Sequence, residues 1–165
     1  MARTHTRRPG EATTDPADLL TDVVPRLYRV LRAALDEDPG LPSLEQLRVM
    51  TRIAEGVRHA SELATARQMR MSAITPLIDG LVARGWVTRT PDPADRRRVR
   101  LDLTPAGDRA LHAARQRTRE RLTEVLRHGA QGPSGVDVAA VAVWLEEALR
   151  RYDRHRLGAQ ERGLP

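Results

Sequence analysis

The sequence has no cysteine, no lysine and no phenylalanine, and aromatic residues make up only 2% of its 165 positions. Without cysteine, disulfides, thiolate metal sites and thiol redox sensing are excluded. With so few aromatics the core has to be assembled from Leu, Val, Ile, Ala and Met, which favours helices over a sandwich or barrel. No apolar run approaches the roughly 20 residues of a membrane span. Arg3, Arg7 and Arg8 near the start are not followed by the apolar segment of a secretory signal. A cytoplasmic protein with no membrane partner is expected. Phosphate-cradling glycine loops and nucleophile elbows are missing as well. The five histidines, His5, His59, His112, His128 and His155, are scattered, with no pair at metal-ligand spacing. Neither an enzyme nor a metal or other cofactor is expected, and His59 and His112 read as surface or packing residues.

What the chain does have is arginine. All 28 of its basic Lys/Arg positions are Arg, the net charge is +6, and hydrophobic residues reach 40%, enough for one domain with a real core. A basic balance suits a polyanionic partner. Residues 1–15 carry no periodic apolar positions and read as a flexible basic tail. From Pro16, Leu20, Val23, Val24, Leu27, Leu31 and Ala34 repeat at threes and fours, one face of an amphipathic helix that Pro25 should kink or divide. Ser43 with Gln46 is a capping-box signature, opening a helix through Leu44, Leu47, Val49, Met50 and Ile53. A short helix follows at Ser61–Ala64. Ser72 is the next candidate N-cap, for a helix through Ile74, Leu77, Ile78, Leu81 and Val82 that stops at Gly85.

The periodicity then switches to two. Trp86–Arg89 and Val99–Leu103 read as strands, and between them Pro91 to Ala94 supply turn residues ahead of Asp95, Arg96, Arg97 and Arg98. This is a β-hairpin with an arginine tip. Thr104-Pro105 opens a long helix to about His128, a Gly/Pro loop follows, and a last helix from about Val136 to Arg156 presents Trp144, Leu145, Leu149 and Tyr152. The fold class is therefore mainly α with a small β-hairpin. Residues 41–104 are expected to form a winged helix-turn-helix lobe, 16–38 and 105–156 to form flanking helices, which the resemblance given below makes dimerisation helices, within one domain spanning 16–156, and 157–165 to form a C-terminal tail. A slender second helix suits the major groove of duplex DNA, and an Arg on a hairpin tip suits the electronegative minor groove. Arg70, Ser72, Ala73, Thr75 and Pro76, at the start and on the exposed side of that helix, are candidate base and backbone readers. Asp79 is a poorer one, because it would repel phosphate.

Ser61-Glu62-Leu63-Ala64, Ile74-Thr75, Leu77-Ile78-Asp79, Leu81 and Arg84-Gly85-Trp86-Val87 resemble the MarR family of regulators. So does the run from Asp95 through Arg98 to Leu103-Thr104-Pro105-Ala106-Gly107. The resemblance implies a sequence-specific transcription regulator of double-stranded DNA, a homodimeric repressor released by a small lipophilic or aromatic effector. It implies an inverted-repeat operator, Arg97 as the minor-groove residue, Asp95 as its carboxylate buttress, and Arg96 and Arg98 on flanking phosphates. Arg67 departs from the family pattern as an additional phosphate contact. Pro76 departs from it by standing where relatives carry Arg or another polar residue. Leu20, Val24, Leu27, Leu126, Trp144, Leu145 and Leu149 are the expected dimerisation residues. The alternatives are a low-specificity architectural DNA-binding protein and a ligand-binding or interaction module that keeps the fold without DNA.

Overall fold

The computed structural model describes residues 15–66, 69–129 and 137–161. The Arg67 expectation lies outside these residues, as does the tail over 1–14. In chain order the elements are α1 (Pro16–Asp36), α2 (Leu44–Ala54), α3 (Ala60–Ala66), α4 (Met71–Ala83), β1 (Val87–Pro91), β2 (Val99–Leu103), α5 (Pro105–Gly129) and α6 (Val138–Glu161). The mainly helical fold with one hairpin, expected from the periodicities, is the one observed.

Local chemistry accounts for the starts of α1, α2 and α5. Asp15 caps α1 by accepting the Ala17 N–H at 2.9 Å, with Pro16 in the first turn. At α2 the Ser43 hydroxyl accepts the Gln46 N–H at 3.3 Å, while the Gln46 side chain accepts the Ser43 N–H at 3.0 Å. Thr104 caps α5 by accepting the Gly107 N–H at 2.9 Å. Removing the first half of the α2 box with Ser43→Ala should cost about 1 kcal/mol. Urea unfolding should read this as a lower midpoint with an unchanged slope, and an unchanged midpoint would deny the cap its role.

Three expectations are corrected. Pro25 does not divide α1, which continues unbroken to Asp36; a proline removes only one ladder bond, and the helix is held further on by burial of Ala34 and Leu35. Ser72 is not the cap of α4. The helix opens one residue earlier than Ser72, at Met71, and its N-cap residue Arg70 makes no side-chain capping bond. The Ala73 and Ile74 N–H groups both donate to the Arg70 carbonyl, at 2.9 and 3.2 Å, so the helical turn already encloses Ser72. The last helix runs beyond Arg156 to Glu161. The apolar stripe ends earlier, but Leu157, Ala159, Gln160 and Glu161 are good helix formers that offset Gly158 among them.

The core of the first compact unit, which extends to Leu126, is aliphatic. Leu35 from α1, Leu47, Val49, Met50 and Ile53 from α2, and Leu63 from α3 meet Ile74, Ile78 and Leu81 from α4. Leu44, Ala64, Trp86, Val87, Leu101, Ala110, Leu111 and Ala114 complete it. β1 and β2 pair antiparallel, with Val87 opposite Leu103 and Pro91 opposite Val99. The outer edge of β2 is covered where the Leu101 N–H donates to the Arg58 carbonyl at 2.8 Å. The end of α1 is tied to α5. Arg117 donates to the Ala34 carbonyl at 3.2 Å and also to Glu37, and Arg121 reaches Glu37 at 2.9 Å. These cations satisfy the negative end of the α1 dipole.

The outer half of α1 leaves Leu19, Leu20, Val23 and Val24 exposed, and Leu126 is exposed on α5. Leu27 is half-buried. The second unit begins at Arg127, and its described element is α6. There Trp144 is 66% exposed and Leu149 and Tyr152 are exposed, while Leu145 is half-buried. None of the described helices is long and apolar enough to cross a membrane.

Candidate nucleic-acid interface

α3 and α4 form the helix-turn-helix pair. Ile74, Ile78 and Leu81 turn one side of α4 inward, which leaves Ser72, Thr75, Pro76 and Asp79 on the opposite, exposed side at helical spacing. Arg70 and Ala73 are exposed at its start. The Thr75 hydroxyl donates back to the Met71 carbonyl at 2.9 Å, which leaves its oxygen free to accept. Because α4 opens at Met71, Pro76 is its sixth residue, a full turn inside. It has no N–H for the Ser72 carbonyl four residues back and no polar group to offer a base.

Asp79 is not an isolated negative charge on this face, because Arg89 of β1 donates to it at 2.6 Å. The pair ties the helix to the wing and cancels the repulsion expected of Asp79. Arg84 packs at the base of the wing. It stacks over the Trp86 ring at 3.8 Å and donates to the Leu41 carbonyl at 3.2 Å and to the Pro39 carbonyl.

The loop between the strands, residues 92–98, is ordered by its own acids. The Asp92 carboxylate accepts the Ala94 N–H at 2.8 Å and the Asp95 N–H at 3.3 Å, and the Asp92 N–H donates to the Arg98 carbonyl at 3.0 Å. The Asp95 carboxylate accepts the backbone N–H of Arg97 at 3.0 Å. This corrects the buttress expectation: Asp95 fixes the backbone that carries Arg97, not the guanidinium. An acid two residues before an N–H closes this small ring more readily than it holds a long cation.

Arg98 differs from its neighbours. Its guanidinium donates to Glu62 of α3 at 2.8 Å, so it anchors the loop to the helix-turn-helix lobe. Arg96 and Arg97 are exposed, and neither has a side-chain partner among the described residues. The structure thus gathers Arg96 and Arg97 at the tip and Arg98 at its base.

Sequence reasoning missed His59. One ring nitrogen lies 2.9 Å from Glu62 and the other 2.7 Å from Asp92, so a residue read as surface or packing joins α3 to the wing. The spacing of His59 and Glu62, three apart across the start of α3, was a usable signal; Asp92 was not, because only the fold brings it there. Hydrogen bonds from the Ala94 backbone and His59 hold the Asp92 carboxyl below the usual range. Partial burial pushes Glu62 up, but hydrogen bonds from Arg98 and His59 outweigh it and hold Glu62 low as well. On β2, Asp102 receives Arg58 at 2.6 Å and Arg100 at 2.9 Å, and this carboxylate raises Arg100 above its ordinary value.

A helix-turn-helix pair with an exposed second helix, flanked by a tethered hairpin bearing free arginines, defines a winged helix-turn-helix DNA-binding transcription regulator. The MarR family model matches residues 43–99. An uncharacterized helix-turn-helix-type transcriptional regulator of Mycobacterium bovis is 33% identical over 112 residues, covering 67% of this chain and 78% of that protein. A crystal structure of a mutant MarR from Escherichia coli superposes with a TM-score of 0.71 at 25% identity, covering 85% of this chain and 99% of that one. CouR from Rhodococcus jostii RHA1, solved bound to p-coumaroyl-CoA, gives a TM-score of 0.67 at 24% identity, covering 87% of this chain and 94% of its own. The chain belongs to the MarR family.

Proposed function

We propose that the protein is a homodimeric repressor that binds an inverted-repeat operator and is released from it by a small lipophilic or aromatic ligand. The observation that carries the reading is the wing. Its loop is fastened at both ends, Asp92 to His59 and Arg98 to Glu62, and it presents Arg96 and Arg97 to solvent, while Arg89 of β1 ties the wing to Asp79 on the exposed side of α4. Anchoring the loop lowers the entropy lost when the tip engages DNA. Arg70, Ser72, Ala73 and Thr75 are the groove readers in this proposal, and Pro76 leaves a gap among them that shifts recognition toward the wing.

The exposed apolar residues Leu20, Val24, Leu126, Trp144 and Leu149, with half-buried Leu27 and Leu145, support dimerisation, since contiguous apolar faces are seldom left in water. A two-fold dimer would set its recognition helices about one DNA turn apart. CouR was solved with p-coumaroyl-CoA, which supports an effector here. Such an effector must prefer the DNA-incompetent state, since equal affinity for both states shifts nothing.

The test is sequencing of genomic fragments retained by the purified protein, followed by titration of the recovered duplex and a scrambled one. The recovered duplex should bind far more tightly, with log K falling by about 0.9 per log salt for each phosphate neutralised. Equal affinity for both duplexes would favour a low-specificity architectural role, and no retention would favour an interaction module.

A further inference from the structure

We propose that His59 is the positioning residue of the wing: as an imidazolium it bridges Glu62 of α3 and Asp92 of the wing loop, and loss of one proton releases the arginine tip from its DNA-reading pose. This rests on the DNA-binding reading above. The ring and the Asp92 carboxylate are both sheltered, with side chains 13% and 14% exposed. Both ring nitrogens face carboxylate oxygens, at 2.9 and 2.7 Å. A carboxylate can only accept, and a neutral imidazole has a single N–H. The doubly protonated ring satisfies both contacts; the neutral ring satisfies one and turns a lone pair toward the other acid.

The surrounding charges do not replace the lost donor. Arg98 already donates to the same Glu62 oxygen that the ring faces, and Arg58 and Arg100 are committed to Asp102, so none of the three takes the ring's place at Asp92. Glu62 and Asp92 are both held below the usual carboxylate range, so they stay ionised through neutral pH. The sign follows: the clasped wing is favoured by protonation, so duplex affinity is highest on the acid side and falls as pH rises.

Two variants separate the roles. His59→Gln removes the proton-dependent donor. Asp92→Asn keeps the oxygen that accepts from Ala94 and Asp95, and turns an amide N–H toward the ring, so a neutral imidazole can donate to Glu62 and accept from the amide. The readouts are backbone amide order parameters of Arg96 and Arg97 in the full chain without DNA, and affinity for a duplex selected by retention on the protein. Both are followed from about pH 5.5 to about pH 8.5 at constant ionic strength, a range spanning histidine titration.

The native chain should loosen at the tip and lose about tenfold in affinity per wing with rising pH, the equivalent of one charge-assisted hydrogen bond in each chain. His59→Gln should be loose throughout with a flat affinity profile. Asp92→Asn should stay ordered at the alkaline end. Native tip amides that are equally ordered at both ends, a flat native affinity profile, or a pH response surviving in His59→Gln would each overturn the proposal. If the amides respond but no duplex is retained at any pH, the clasp stands and the DNA-binding reading fails.

Discussion

Arg97→Ala should weaken duplex binding by about 100-fold without measurably changing the unfolding midpoint. The residue is exposed, and its side chain has no partner among the described residues, so its removal leaves nothing buried and unpaired; surface changes of this kind stay within about 0.5 kcal/mol. In the complex the same side chain would make charge-assisted hydrogen bonds worth at least about 1.5 kcal/mol. A two-fold dimer loses that contribution twice, hence roughly two orders of magnitude. The slope of log K against log salt should become shallower by about 2, one for each wing, if the contacts are to phosphate.

Fluorescence anisotropy over a salt series, with thermal melting alongside, checks both halves of this expectation. Unchanged affinity would remove the wing from the interface. Arg98→Ala offers an internal contrast. That side chain is tied to Glu62 at 2.8 Å, so its loss should also raise the mobility of the free loop, which Arg97→Ala should not.

The two arginines stand side by side in sequence, and nothing local distinguishes them. The Glu62 partner of Arg98 lies 36 positions away, and Asp92 lies 33 from His59. Periodicity and capping rules are short-range, so they could locate the helices, the hairpin and its tip, but not the pairings that tether it. The same limit explains the α4 start. Ser72 is a good N-cap residue taken alone, yet the helix already opens at Met71 with Arg70 as its N-cap. Asp95 was assigned to the correct neighbour but to its side chain, because the competition between a backbone N–H and a flexible guanidinium is settled by loop geometry. By contrast, the α2 capping box and the Thr104-Pro105 start of α5 were legible in full. There the partners lie within three residues of each other, and no tertiary contact competes.

Gly107→Ala tests how the wing base is joined to α5. In an exposed helix this substitution would stabilise the chain by up to about 1 kcal/mol, because alanine is the better helix former. Here the sign should reverse. A Cβ at Gly107 would lie 2.0 Å from the Trp86 carbonyl oxygen and 2.9 Å from the Trp86 carbonyl carbon. Backbone cannot swing aside as a side chain can, so either the first turn of α5 lifts or the start of the hairpin shifts. Both movements disturb bonds made at the same place. The Thr104 N–H donates to the Trp86 carbonyl at 3.0 Å, and the Thr104 hydroxyl donates to the Gly85 carbonyl at 2.6 Å. Trp86, Val87, Ala110 and Leu111 are buried around this junction. Overpacking a core costs about 1–3 kcal/mol and sometimes more, and a backbone obstacle belongs at the upper end. A loss of about 3 kcal/mol in urea unfolding is therefore expected, together with weaker duplex binding from a displaced wing. A variant as stable as the native chain would mean that α5 and the hairpin are not locked at this point.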